Sequence, residues 1–515
     1  MSAIASKVAK NTGFLYIRLG ITMFVSLYTT RIVLNALGTS DYGIFSLVGG
    51  AIAFLSFFSG ALTQASQRFM SYAEGRRDKE KRKIIFNISL VLHFTLCLLL
   101  MFFLAIIGFF FFNDFFNIPE GREHVAVVIY GSLVLSTAFS VLSVPYEAVL
   151  NAHENMRYYA VVGILESLMK LGVALACVFT LMDKLIVYGV LMAFVPIVVL
   201  IIMWVYCHIH YEECVFAPRQ YYDSRIAKEM TSFACWSFVS TASSVFTMQG
   251  IAIMLNYYGG VIVNTAHGIA NQLSGQVMTF SNTMQKALNP ALVKSCGAGK
   301  VQQMLRAAET GNKLAFGCFS VFAIPFIVET PLLLSLWLKE VPVWAVLFCR
   351  LVFIRQMLTQ TYISFVTCIN ATGIIHYFSI ISSVLWVSPI ILGVILYQLN
   401  APIYTIYILL IILALLRGVN TVYFCRKLCR LNIVYYIRSS LIPMTIVAAI
   451  GFGLLFFLKR LLVDYGLYGV ISYIILSVIF FVYIFFVIVL NKAERQEIEK
   501  LIRHLSMRIP ILRNL

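Results

Sequence analysis

Runs of apolar residues, each long enough to cross a bilayer, recur along the whole chain with short polar stretches between them. They lie at about residues 12 to 36, 43 to 66, 84 to 112, 125 to 148, 158 to 181 and 185 to 207. A polar stretch, HIHYEECVFAPRQYYDSRIAKEM, separates these six from a second series. That series runs at about 231 to 256, 262 to 288, 313 to 336, 343 to 369, 374 to 397, 402 to 424, 439 to 458 and 467 to 490. A spanning helix takes about 20 to 25 residues, so the pattern predicts an all-α polytopic membrane protein with about 14 transmembrane helices. The predicted divisions are an N-terminal six-helix bundle over 1–210, a cytoplasmic linker over 211–230, a second six-helix bundle over 231–425, two additional transmembrane helices over 426–490, and a basic amphipathic tail over 491–515. In the tail, Ile498, Leu501, Ile502 and Leu505 recur at helical spacing and Pro510 ends the pattern, so it is expected to lie on the inner membrane surface; disorder is the alternative.

Composition agrees with the pattern. Of 515 residues, 61% are hydrophobic and 12% charged, with a mean hydropathy of +0.89. A soluble protein would carry about a quarter charged residues, so an ordinary cytosolic enzyme is excluded. Lys7 and Lys10 precede a first apolar run of over 20 residues with no small-residue cleavage site, which reads as an uncleaved span and not a signal peptide.

The net charge of +17 would suggest a nucleic-acid partner in a soluble protein, but here it reads as topology. With the N-terminus inside, 27 basic residues fall in inner loops and the tail, and only Arg122, Lys184, Lys339, Lys459 and Arg460 fall outside. Both termini are therefore expected in the cytoplasm, and no nucleic-acid partner is expected. Most of the 11 Cys sit inside apolar runs as small hydrophobes. Cys425 and Cys429 form CRKLC without a His or a second Cys pair beside them, so no metal site is expected.

An internal repeat is visible at a shift of 218 residues, which lays Ala9-Lys10 on Ala227-Lys228 and TQASQR (Thr63 to Arg68) on SNTMQK (Ser281 to Lys286). Two parallel six-span halves plus two extra spans fit a transporter.

Ionisable groups inside a membrane default to a cavity, a pathway or a buried pair. Glu166 and Lys170 lie one helical turn apart in the fifth span, as either a self-neutralising pair or a substrate- or ion-binding pair. The eighth span carries Asn264, His267, Asn271, Ser274, Asn282 and Gln285 down one face, and Ser56, Ser59, Thr63 and Gln67 are the second span's counterpart. Such stripes are either helix-to-helix seams or the wall of a water-filled cavity; their length and pairing favour the wall. Arg18 shares a face with Thr22 and Thr29, and Arg355 lies near the midplane beside Gln356, Thr359 and Gln360. Guanidinium groups facing a cavity can fork onto a phosphate or pyrophosphate. Arg31 and Arg350 are expected to snorkel at outer span ends. Glu147 and Glu329 each lie two residues from a proline and read as hinge or interface, with ion coupling as the alternative.

Two stretches resemble a known family. RIVLNALGTSDYGIFSLVGG (Arg31 to Gly50), followed by QRFMSYAEG and a basic loop, is similar to the opening of bacterial polysaccharide-export flippases. So is PYEAVLNAHENMRYYAVVGILESLMKLGVAL (Pro145 to Leu175). These are the O-antigen and capsule transporters of the multidrug/oligosaccharidyl-lipid/polysaccharide exporter superfamily. The resemblance implies two helical bundles around a central cavity that opens alternately to either side of the bacterial inner membrane. It also implies a substrate of short oligosaccharide on undecaprenyl pyrophosphate, flipped to the periplasmic leaflet for lipopolysaccharide or capsule synthesis, and an antiported H+ or Na+. In that frame Arg18, Lys170, Arg355, Asn264, His267, Asn271 and Gln360 are the substrate-binding candidates, and Glu166 and Glu329 the ion-coupling candidates.

Multidrug efflux within the superfamily is the main rival, but the mid-membrane groups are mainly cationic and favour an anionic substrate. A membrane enzyme of the same pathway would need a carboxylate or His and Arg constellation on a substantial loop. The longest outer loop (Asn113 to His124) is about a dozen residues, and no GxGxxG, P-loop or DxD cluster occurs. No catalytic residue and no cofactor is therefore expected.

Overall fold

The computed structural model describes residues 2–53, 56–112, 121–338, 340–462, 466–496 and 499, and these contain helices and no strand. In chain order the helices are α1 (Ser2–Ala53), α2 (Ser56–Arg76), α3 (Lys79–Phe110), α4 (Glu123–Ala152), α5 (Met156–Phe179), α6 (Lys184–His210), α7 (Ser224–Gly297), α8 (Val301–Val328) and α9 (Thr330–Trp337). They continue with α10 (Ala345–Gln360), α11 (Ile363–Thr372), α12 (His376–Gln398), α13 (Thr405–Cys429), α14 (Ile433–Tyr436), α15 (Ile442–Leu462) and α16 (Gly466–Ile484). Asp78, Asn155 and Asp183 cap α3, α5 and α6 by accepting first-turn backbone N–H groups with their side chains. The predicted amphipathic tail, beyond Gln496 and apart from Glu499, lies outside the described residues.

Eleven helices among the described residues are long and apolar enough to cross a membrane, so the protein is a multi-pass membrane protein. The three remaining expected spans also fall on helical backbone. Residues 43–66 fall on the end of α1 and on α2, with 54–55 outside the described residues. Two expected spans are merged in the 74-residue α7. The expected span at 343–369 is broken into α10 and α11, each too short alone.

Both merged helices kink at a glycine of the same geometry: Gly38 at φ 75°, ψ 175° and Gly260 at φ 75°, ψ −178°. That region is open essentially only to glycine. Each kink falls after the first expected span of its half, as a repeat requires. The glycines are 222 residues apart against the 218 of the sequence match, and the extra four residues are close to one helical turn, which keeps side-chain faces in phase.

Two compact units emerge: residues 11–238, and residues 239–515 together with 1–10. The polar stretch expected as a linker is held to the first unit. Asn87 of α3 donates to the Val215 carbonyl at 2.9 Å and accepts the Ala217 N–H at 2.9 Å, and Glu213 bonds His153 at the end of α4. The first unit's apolar core joins Ile44 and Val48 to α3, α4 and α6. In the second unit, α7 packs with α10 and α13 around Phe348 and Tyr407. There α15 and α16 bury Met444, Leu455 and Tyr473, and the turn after α16 buries Phe485, against Phe316, Phe319 and Ile324 of α8, so the last two helices are part of this unit's core.

Candidate functional site

In the first unit the intramembrane charges have neighbours that answer them. The Arg18 guanidinium lies 4.5 Å from the centroid of the Tyr159 ring on α5, a cation–π contact. Gly163, one turn further, makes room for it: an added Cβ would stand 2.1 Å from Arg18 Nε. Lys170 Nζ donates to Glu166 Oε1 at 2.7 Å, so this half-buried pair neutralises itself. Arg18 and Lys170 belong to the first unit, and the other substrate-binding candidates belong to the second.

The first unit also holds a cluster that sequence reasoning missed. Arg122, at the N-terminus of α4, bonds Asp41 Oδ2 at 2.6 Å and also bonds Asp183 at the N-cap of α6. Asp41 stands three residues beyond the Gly38 kink, so the cluster ties the kink to two other helix ends. Burial holds the Asp41 carboxyl above its ordinary range, against the pull of Arg122. Burial also works to raise Asp183, but the Ile186 N–H and Arg122 outweigh it and hold its carboxyl below the ordinary range.

In the second unit the polar stripe of α7 serves two purposes. Its buried edge is a seam of hydrogen bonds to neighbouring helices. His267 Nδ1 bonds the Tyr407 hydroxyl of α13 at 2.7 Å, and Asn271 Nδ2 bonds His267 Nε2 at 2.9 Å. Ser281 donates to Gln360, Gln285 donates to Ser364 of α11 at 2.9 Å, and Thr367 donates to Asn289 at 2.9 Å. His267, Asn271 and Gln360 are thus placed in this seam, and Asn264 is half-buried about one turn before His267 in the chain.

The neighbouring edge of the same helix is exposed. Thr265, Gly268, Gln272, Gly275, Gln276, Asn282 and Lys286 are exposed, with Thr279 partly so, and their three- and four-residue spacing sets them on one face. Every member is polar or glycine. Exposed positions elsewhere at membrane depth include apolar residues such as Phe102, Phe194 and Ile201. Amide groups against hydrocarbon would lose hydrogen bonds to water with nothing in return, so this face needs water beside it.

Arg355 of α10 is half-buried and lies within electrostatic range of Arg417, Tyr362 and Tyr407. Arg417 of α13 was not singled out from the sequence. It is 8% exposed, stacks its guanidinium 3.7 Å from the Trp386 ring centroid, and has no hydrogen-bond partner for Nε among the described residues. Glu329, by contrast, is paired: Lys459 of α15 reaches its Oε1 at 2.9 Å. Arg350, expected to snorkel, donates through Nε to the Ile327 carbonyl at 2.9 Å and satisfies the end of α8. Among the described residues no group of three or more His, Cys, Asp or Glu side chains is arranged to hold a metal ion.

Comparison with known proteins places this geometry. The sequence model of the family described as polysaccharide biosynthesis protein matches residues 8–295. No curated protein matches the chain by sequence. A multidrug resistance MATE family transporter of the MOP superfamily, in an outward-facing conformation, is similar in structure at a TM-score of 0.69 and 14% identity, covering 83% of this chain and 97% of its own. A MATE in a bent conformation gives 0.70 at 15% identity, covering 83% and 97%. A MOP superfamily transporter from Pyrococcus furiosus, whose binding pocket is described as reversed in polarity, gives 0.63 at 15% identity, covering 84% and 99%. At these identities the likeness establishes the fold.

Proposed function

This chain belongs to the polysaccharide biosynthesis protein family, and on that premise we propose that it is a flippase for an oligosaccharide linked to undecaprenyl pyrophosphate. In this reading it works in the bacterial inner membrane with both termini cytoplasmic, turns the lipid-linked glycan to the periplasmic leaflet by alternating access, and draws on an H+ or Na+ gradient. The glycan serves O-antigen, lipopolysaccharide or capsule assembly. The protein performs no bond chemistry.

The observation that carries the reading is the exposed face of α7. Its hydroxyl and amide groups can exchange hydrogen bonds with water for hydrogen bonds with sugar hydroxyls at little net cost, which suits a passing polar cargo. The face carries no carboxylate, so it gives an organic cation no charge to pair with. This favours the flippase reading over multidrug efflux.

The test is reconstitution of the full-length protein in liposomes with a fluorescent lipid-linked oligosaccharide. Translocation driven by a proton or sodium gradient is expected. Substituting Gln272 and Gln276 by Leu is expected to slow it at least tenfold while the protein still inserts. Failure of the wild type to move the substrate under either gradient would sink the reading.

A further inference from the structure

The second unit contains a buried charge that its described residues do not balance. Arginine keeps its proton at any physiological pH, so a buried guanidinium must be paired, stacked or solvated. Arg417 is stacked on Trp386, which offsets part of its desolvation, but its Nε has no acceptor among the described residues. Arg355 lies within electrostatic range, and the repulsion between two cations raises the cost of both. The remaining groups around them, Tyr362, Tyr407 and His267, supply no negative charge. Three of the unit's described carboxylates face other cations: Glu329 pairs with Lys459 at 2.9 Å, Glu494 with Lys313 at 3.0 Å, and Glu309 lies within electrostatic range of Lys313 and Arg306.

The backbone beside these arginines is broken by design. The helix stops at Gln360 and restarts at Ile363, which frees backbone groups at membrane depth. Side chains from other helices take them up. Tyr436 donates to the Thr361 carbonyl at 2.8 Å, and the Ser364 N–H donates to Asn312 Oδ1 at 2.7 Å. Tyr362, inside the break, packs on Gly418 next to Arg417; a Cβ there would stand 2.9 Å from the ring. Breaks of this kind in membrane helices are tolerated where they serve a cavity or a binding site.

We propose that Arg355 and Arg417 form one anion-binding site beside the α10–α11 break, and that its ligand is a diphosphate group. Two guanidinium forks match the two phosphates of a diphosphate, and a dianion removes the charge excess that the protein leaves open. The flippase reading supplies the diphosphate as part of a lipid, but the site is argued from its own charge and stands or falls separately. A lipid-borne diphosphate and free inorganic pyrophosphate share this chemistry.

The experiment uses the full-length protein in phosphatidylcholine nanodiscs, with farnesyl diphosphate and inorganic pyrophosphate as probes. Binding of at least one is expected, with Arg355→Gln and Arg417→Gln each weakening it by about tenfold or more, as for loss of a charge-assisted bond. Farnesyl diphosphate binding alone assigns the site to a lipid-borne ligand; binding of both shows that the diphosphate group suffices. Binding that both variants leave unchanged, or no binding of either probe, overturns the proposal. Should a variant fail to fold, phenylglyoxal labelling of the wild type decides: pyrophosphate is expected to slow modification of Arg355 and Arg417, and unslowed labelling overturns the site. Diphosphate binding without translocation in liposomes would keep the site and remove the flippase reading; translocation with no diphosphate binding would do the reverse.

Discussion

Within residues 11–238, Arg18 rests on the Tyr159 ring and Lys170 is tied to Glu166, whereas within residues 239–515 Arg417 rests on the Trp386 ring with Arg355 in range, and no carboxylate among the described residues pairs with either. Both units put cations at membrane depth, so counting basic residues inside spans does not separate them. What differs is the local charge balance: Lys170 has a carboxylate and Arg18 sits singly on its ring, whereas Arg355 and Arg417 repel each other. A balanced cation helps hold helices together and has little left for a ligand; an unbalanced one makes the apo state costly and is relieved by an anion. The kinks differ in the same sense. Gly38 is followed by Asp41, clamped through Arg122 to Asp183, whereas Gly260 is followed by the exposed apolar pair Val261 and Ile262. One unit is latched by charge at its kink and the other holds its unanswered charge in its interior.

The largest expected effect comes from upsetting the first unit's balance at the latch. Asp183 is the better ion of the two partners of Arg122, since its carboxyl is held below the ordinary range while burial holds Asp41 above it. Asp183→Asn should therefore cost about 2–3 kcal/mol, as for loss of a hydrogen bond to a charged group, and Asp41→Asn clearly less. The pH dependence follows with a definite sign. A depressed carboxyl stabilises the fold above its ordinary value of 3.8 and loses that contribution as the pH falls below it. A raised one acts in the opposite direction. Thermal unfolding midpoints should show an acid loss in wild type and Asp41→Asn that is reduced in Asp183→Asn. Equal costs for the two variants would mean that the latch is symmetrical.

A smaller effect is expected at the kinks. Both glycines have open space where a Cβ would go, so Gly38→Ala and Gly260→Ala test the backbone alone. An alanine at φ 75° with extended ψ should cost about 1–2 kcal/mol. The kink at Gly260, which lacks the ion cluster, can relax and should lose less. Unfolding midpoints of the two variants measure this directly, and a larger loss at Gly260 would break the comparison.

Most of the span pattern was legible because twenty-residue apolar runs leave few alternatives in a chain this hydrophobic. The mergers and the break were less so. Gly38 and Gly260 continue a helix through a kink where the pattern reads a loop, and the stop at Thr361-Tyr362 lies inside an apolar run and is stabilised by Tyr436 and Asn312 from distant positions. The α7 stripe was visible as polar residues at helical spacing, but which edge faces neighbours depends on partners such as Tyr407 and Ser364, which one sequence does not pair. Arg417 had a signal, a single basic residue inside ILLIILALLRGVNTV, equal in kind to that of Arg355. Its importance lies in the missing counter-charge, which is a property of the packed unit. The Asp41–Arg122–Asp183 cluster joins a helix kink to two helix N-termini, and nothing in their spacing announces it.

The smallest effect is expected at Glu166 and Lys170, and it bears most directly on the comparison. Their side chains are 32% and 40% exposed and lie one helical turn apart, so the pair should contribute only about 0.3–0.5 kcal/mol to stability. If the pair only neutralises itself, removing both charges together, Glu166→Gln with Lys170→Gln, should leave translocation in liposomes within about twofold of wild type, a change of under 0.5 kcal/mol. Glu166→Gln alone should do more harm, since it leaves Lys170 unanswered in the same way as Arg355. A double variant that inserts normally yet no longer translocates would mean that the first unit's cations also serve the substrate, and the division between a balanced and an anion-accepting unit would then fail.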